Sequence, residues 1–242
     1  MRLYTPIFCL LLLQHIACNP ICAQLRIGAG YVASYGTFKS FDNFRKTYNE
    51  TNASTLKKKL DGMSDQYGFN VSADYFVPEH LFSSVEYQGQ FATAKATFNS
   101  GTKRIFKLRA NTVSTFMGWR QEYERSSWTL AGGLSFSFGN MTGFLKMPEG
   151  TRYHATGGLS GEFTGVRFGG ALKFEYDRAI SENIGFRLGF NTYFLGAKAD
   201  SEYAMTNTFT TLTESELTLN GQAIKYNITR FSAQLGLYYQ IF

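Results

Sequence analysis

Between Val166 and Phe194 the chain alternates apolar and small or charged residues. Val166, Phe168, Leu172, Phe174 and Tyr176 fall in one phase; Arg167, Gly169, Ala171, Lys173 and Glu175 fall in the other. After Ser181-Glu182-Asn183 the alternation resumes, with Ile184, Phe186, Leu188, Phe190 and Phe194 set against Gly185, Arg187, Gly189 and Asn191. Successive side chains of a strand point to opposite faces, so period two predicts strands, and the polar tripeptide predicts a tight hairpin between them. One face is bulky and aromatic. The other mixes glycine with full charges, which a dry core accepts only when paired. A lipid-facing exterior and a wet, ion-paired interior accommodate both faces, so this segment is expected to be a transmembrane hairpin.

The same alternation predicts strands elsewhere. From Leu25, the residues Leu25, Ile27, Ala29, Tyr31, Ala33 and Tyr35 oppose Arg26, Gly28, Gly30, Ser34 and Gly36. Thr37 to Asp65 is a polar excursion, in which Phe41, Phe44 and Tyr48 have the spacing of a short surface helix and Lys57-Lys58-Lys59 read as a solvated run. In the second strand Tyr67, Phe69, Val71, Ala73 and Tyr75 point outward and Asn70, Ser72 and Asp74 inward, up to a turn at Pro78. The third, Leu81 to Phe98, sets Val85, Tyr87, Gly89 and Phe91 against Glu86, Gln88 and Gln90; its phase blurs after Ala92, as a bulge would make it. The fourth, Arg104 to Trp119, is read with Phe106, Leu108 and Ala110 outward and Lys107, Arg109 and Asn111 inward. In the fifth, Trp128, Leu130, Leu134, Phe136 and Phe138 oppose Thr129, Gly133, Ser135 and Ser137. Asn140 to Thr164 is a second long excursion with a turn at Met147-Pro148-Glu149-Gly150, and Gly196 to Ile224 is a third. The last strand, Tyr226 to Phe242, puts Phe231, Ala233, Leu235, Leu237, Tyr239 and Ile241 opposite Arg230, Ser232, Gln234, Gly236 and Gln240.

With the opening hairpin as strands six and seven, the count is eight, with short connections after the second, fourth and sixth strands and long ones after the first, fifth and seventh. The fold class this predicts is all-β, a single eight-stranded antiparallel up-and-down transmembrane barrel. An even strand number with short periplasmic turns and longer outer loops is the plan of bacterial outer-membrane barrels. Residues 1–23 have the form of a signal peptide: Arg2, an apolar run from Ile7 to Leu13, and a cleavage point at Ala23-Gln24. The barrel domain is then 24–242. All three cysteines, Cys9, Cys18 and Cys22, lie in the leader, so the mature chain has no thiol for a disulfide or a thiolate metal site. Aromatic residues make up 17% of the chain, which suits aromatic girdles at two membrane interfaces. The formal charge of +6 becomes +5 once Arg2 leaves with the leader; the bases are scattered, and no nucleic-acid motif accompanies them.

These strands and the aromatic Phe242 give the chain a resemblance to the small eight-stranded outer-membrane barrels, such as the OmpA membrane domain and OmpX. It also resembles the outer-membrane β-barrel proteins common in Bacteroidota, through its Ala-Gln leader end and long first loop. The resemblance implies a Gram-negative outer membrane, with lipid and lipopolysaccharide, the barrel assembly machinery and an unknown extracellular ligand as partners. It also implies a terminal assembly signal. Gln240 stands where the family has a bulky residue, so the signal is assigned to Tyr239, Ile241 and Phe242, with a slip of the last strand as one consequence.

The candidate chemistry lies in the lumen. The inward positions assigned from the alternation gather Lys107, Arg109, Arg167, Lys173, Arg187 and Arg230 with Asp74, Glu86 and Glu175. Eight strands leave an interior that side chains fill, which predicts an ion-paired plug, with Arg187 paired to Glu86 or Glu175. Six bases against three acids also fit a narrow anion-preferring pore. Some small outer-membrane barrels are hydrolases that use a rim His beside Ser or a carboxylate. Here His80 is expected in a periplasmic turn, and His154 has only Ser160 and Glu162 nearby in sequence, so no catalytic residue is assigned. Nor is a cofactor or metal ligand. A lipocalin-like carrier would bury the aromatic face; the glycines and small residues of the other face favour the reverse.

Overall fold

Eight long strands follow one another around a ring: β1 (Gln24–Phe38), β2 (Asp65–Val77), β3 (Leu81–Phe98), β4 (Lys103–Glu122), β5 (Ser126–Lys146), β6 (Gly161–Ala179), β7 (Ile184–Leu195) and β8 (Ile228–Ile241). The computed structural model describes residues 24–77, 80–153, 159–195, 206–207, 218–219, 222–223 and 228–241. Each strand pairs antiparallel with its sequence neighbours, and β8 closes the ring on β1 from Leu25↔Ile241 to Phe38↔Ile228. A closed ring leaves no sheet edge, which is one of the two ways a backbone can satisfy its polar groups in lipid.

The strands are unequal. β3, β4, β5 and β6 run for 18, 20, 21 and 19 residues, about twice the 9–11 that a tilted strand needs to cross a bilayer. Their surplus stands beyond the membrane at the end opposite the chain termini. The excursion expected from Asn140 to Thr164 is therefore partly wall: Asn140 to Lys146 pair with Lys103 to Arg109, and Asn140 to Gly143 also pair with Gly161 to Thr164. It also explains why β3 and β4 join by a short turn at the long-loop end, where Gly101 has φ +84. The predicted turn at Met147-Pro148-Glu149-Gly150 caps β5, with Gly150 N–H donating to Met147 C=O at 2.9 Å.

Two irregularities expected from the sequence are absent. β3 keeps one register through Thr97 with no bulge, and β8 keeps one register to Ile241. The phase of β3 looks blurred in the sequence because its inward residues change from Glu86, Gln88 and Gln90 to Ala92, Ala94 and Ala96 without changing face. On β4 the expected phase is reversed. Phe106, Leu108 and Ala110 are buried inside the barrel, while Lys107 and Arg109 are exposed on its outer wall.

The cause is the segment after β1. Helix α1 (Lys39–Thr51) does not lie on the surface as expected; it packs into the outer half of the barrel, with Phe41, Phe44 and Tyr48 buried. These three occupy one face at i, i+3 and i+7. Asp42 sits in the first turn, where the helix dipole favours an anion, and pairs with Arg45 at 3.4 Å. Asn52 Nδ2 donates to Tyr48 C=O at 2.8 Å at the far end. Phe41 and Phe44 meet Phe106 edge-on, with centroids 5.9 and 5.5 Å apart. Ala92, Ala94 and Ala96 lie in the same cluster, their small side chains leaving space for the rings. The return segment is tied back through Asn49, whose Oδ1 accepts from Leu60 N–H at 2.7 Å.

Candidate functional site

Below α1 the lumen is polar and crossed by ion pairs. Alternation puts Asp74 of β2, Glu86 of β3, Lys173, Glu175 and Asp177 of β6, Arg187 of β7 and Arg230 of β8 on inner faces, and all are buried. Arg187 is the hub. Its Nε donates to Asp177 Oδ1 at 2.9 Å, its Nη2 lies 3.2 Å from Glu175 Oε1, and its Nη1 meets Asp74 and donates to Ser72 Oγ at 2.8 Å. Lys173 Nζ lies between Glu86 Oε2 at 3.1 Å and Glu175 Oε2 at 2.9 Å, near the rings of Phe82 and Phe116. The other oxygen of Glu86 accepts from Gln88, Asn191 and Gln234 at 2.6, 2.8 and 2.7 Å. Asp74 accepts from Ser84 Oγ at 2.6 Å. Buried charge is tolerated when paired and hydrogen-bonded in this way.

The expected ion network is thus partly re-drawn. Asp74, Glu86, Lys173, Glu175 and Arg187 come together. Arg187 contacts Glu175 as one of its expected partners, whereas Glu86 goes to Lys173. Arg230 lies higher, donating to Thr112 Oγ1 at 2.8 Å with its guanidinium 4.6 Å from the Tyr193 ring centre. Arg167 is on the inner wall and buried. Lys107 and Arg109 are not lumen residues, because the β4 phase that buries Phe106 turns them outward.

Three further members fall outside the set assigned from the sequence. Arg26 and Arg120 approach Asp177 Oδ2 at 3.2 and 3.4 Å, and Arg26 lies 4.7 Å from the ring centres of both Phe76 and Tyr238. Arg26 and Asp177 share the inward phase of their strands, so alternation could have found them. The sequence pattern ends the fourth strand before Arg120, yet β4 continues to Glu122 and keeps it inside. The inner wall therefore carries six buried bases against four buried acids among the described residues.

The outside is the converse. Tyr31, Phe69, Leu130, Leu134, Phe168, Leu172 and Leu235 are all at least 43% exposed around the wall. Trp119, Trp128 and Tyr239 stand near the short-turn rim; Tyr35, Tyr67, Phe91 and Phe231 stand nearer the other. An apolar belt this continuous around a charged interior needs lipid as its solvent. This is an outer-membrane-type β-barrel. Tyr239 and Ile241 belong to its outer face. Phe242, the remaining residue of the expected assembly signal, and His154 both lie outside the described residues, as does the 1–23 leader. His80 sits in the β2–β3 turn with φ 75, and its Nδ1 lies 3.0 Å from Arg120 C=O.

No protein-family profile matches the barrel's sequence, and no curated protein matches it. Solved structures do resemble it. Ail, the attachment invasion locus protein of Yersinia pestis, in complex with the heparin analogue sucrose octasulfate, is 13% identical, with 90% of this chain and 99% of that chain covered and a TM-score of 0.44. Neisserial surface protein A is 12% identical over 89% and 96% of the two chains, with a TM-score of 0.46. A major outer membrane protein from Thermus thermophilus is 11% identical over 91% and 100%, with a TM-score of 0.48.

Proposed function

We propose that the chain is exported by its 1–23 leader, assembles in a Gram-negative outer membrane, and acts as a closed barrel. Its role in this reading is structural or surface-binding, carried by the end that bears α1 and the long connections. The observation that supports closure is α1 itself. Its aromatic face fills the outer half of the lumen, above ion pairs that bridge β2, β3, β6 and β7. A path for ions would have to displace both layers. In planar bilayers the purified protein is expected to give no steady single-channel current.

The excess of six lumen bases over four acids supports a second reading, a small anion-preferring pore. A persistent anion-selective current that falls on Arg230→Gln would establish that reading and remove the closed-barrel one.

A further inference from the structure

At the short-turn rim, between the β4–β5 and β6–β7 turns, a cup of about 510 Å³ reaches into the lumen as far as Arg26 of β1 and Arg120 of β4. Both side chains are almost fully buried, at 9% and 4% exposure. Phe76 holds them in place, its ring centre 4.7 Å from the Arg26 guanidinium and 4.1 Å from that of Arg120. The two guanidiniums converge on one atom, Asp177 Oδ2, which Arg187 Nη2 also contacts at 3.2 Å. One carboxylate thus serves three bases. Arg187 has two further acids, whereas Arg26 has no other among the described residues. Arg26 Nε donates to Gln240 Oε1 at 2.8 Å, and Arg120 Nε lies 3.0 Å from Glu122 Oε1. The Nη2 group of each meets no partner among the described residues. Toward the opening the charge changes sign. Glu122 shares the inward phase of Arg120 and lies two residues nearer the rim, about 7 Å along the strand. Glu124 and Glu182 stand exposed in the two turns, beside Arg125.

Buried cations at the floor and acids at the mouth select a ligand of matching polarity. A polyanion would have to pass three carboxylates to reach the arginines, whereas a ligand with a carboxylate at one end and an ammonium at the other meets both. We propose that the cup binds a short peptide with free ends, two or three residues long. Its terminal carboxylate accepts from the Nη2 groups of Arg26 and Arg120, and its ammonium lies among Glu122, Glu124 and Glu182. Guanidinium and carboxylate match in shape as well as charge. An extended peptide advances about 3.3–3.6 Å per residue, so two residues cover the distance from the level of Arg120 to that of Glu122. The arginines are packed against Phe76 before any ligand arrives, so little side-chain freedom is lost on binding. Short turns lie on the periplasmic side, and the peptide would therefore come from the periplasm. That compartment rests on the orientation of the barrel; the binding does not, and it is tested on purified protein.

The full mature barrel in detergent micelles is titrated calorimetrically with trialanine, trialanine amide, N-acetyl-trialanine and inorganic phosphate. Trialanine should bind at one site per barrel. Amidation removes the charge-assisted hydrogen bonds at the floor and should weaken binding about 10- to 100-fold. Acetylation removes only exposed attraction at the rim and should weaken it about 2- to 5-fold. The triple variant Glu122→Gln, Glu124→Gln, Glu182→Gln should reproduce that smaller loss for trialanine and leave N-acetyl-trialanine unaffected. Arg120→Gln should act as amidation does, whereas Lys57→Gln with Lys58→Gln at the far end should change nothing. Absence of trialanine binding, or equal binding of its amide, would overturn the proposal. Equal binding of the acetylated peptide would overturn the free-peptide assignment in favour of a protein C-terminus. Phosphate that displaces trialanine at equal concentration would mark a plain anion site and overturn it as well. If Arg120→Gln fails to refold, the peptide series on the wild type and on the triple variant, whose substitutions are all exposed, still decides the outcome.

Discussion

Arg187 touches three carboxylates from two strands, those of Asp74, Glu175 and Asp177. In Arg187→Leu those acids keep their burial and lose their shared cation. Breaking one side of a buried pair costs about 3–5 kcal/mol, and urea unfolding of the refolded barrel should show a loss of that size. A loss below about 0.5 kcal/mol, the range of ordinary surface changes, would mean that the lumen is too wet for the pairs to matter. Two adjacent glycines offer a sharper contrast. A Cβ on Gly133 would overlap the Thr115 carbonyl oxygen and lie 3.0 Å from Phe116 Cα, both backbone atoms of the neighbouring strand. A Cβ on Gly132 would meet only Leu172 Cδ2, at an ordinary 3.7 Å. Gly133→Ala should therefore destabilise by about 1–3 kcal/mol, and Gly132→Ala should change stability by less than about 0.5 kcal/mol. Equal effects in a thermal unfolding series would refute the close approach of β4 and β5 at this point.

Helix α1 decides what fills the outer lumen. Its helical spacing is readable in Phe41, Phe44 and Tyr48, but a three-residue apolar stripe does not say what it packs against. The complementary surface comes from strands far along the chain, and its inward residues, Ala92, Ala94, Ala96, Phe106 and Leu108, disguise the polar-in pattern used to assign faces. That disguise is what reverses β4. Burial also raises the pKa of the Tyr48 phenol, an effect opposed by the nearby Arg104 guanidinium. Phe41 is fully buried, so Phe41→Ala should cost about 3–5 kcal/mol if the helix stays docked. If the helix releases instead, hydrogen exchange should rise across Lys39–Thr51 while the strand amides stay protected. Exchange that rises equally in barrel strands would show that α1 and the wall unfold as one unit.

For the molecule as a whole, the short turns at Val77–Leu81, Glu122–Ser126 and Ala179–Ile184 share one end with both barrel termini, and α1 and the long connections share the other. Short turns belong to the periplasmic side. Cysteines placed at the exposed Ser54 and Thr151 should accordingly react with an impermeant maleimide on intact cells, whereas one at Glu182 should react only after the membrane is opened. Equal labelling at all three would refute the orientation. Strand number, wall polarity and most facing directions are legible in the alternation from Leu25 to Ile241, because a strand beside lipid must show every second residue to a solvent unlike the one inside. Asp74, Glu86, Lys173, Glu175 and Arg187 can be placed in the lumen on that ground, and Arg26 and Asp177 are within its reach. Which acid meets which base is not legible, since it depends on the stagger of strands around the ring, and a two-residue shift keeps every side chain on its face while changing which inward residues stand side by side. The full lengths of β5 and β6 are also hidden, although β3 is legible over its whole span from Leu81 to Phe98. Above the membrane the outer face meets water, so the contrast that marks a strand fades although pairing continues. Periodicity along one strand records the solvent on each face; the filling of the lumen is a contact between segments distant in sequence, and it exists only once the ring has closed around α1.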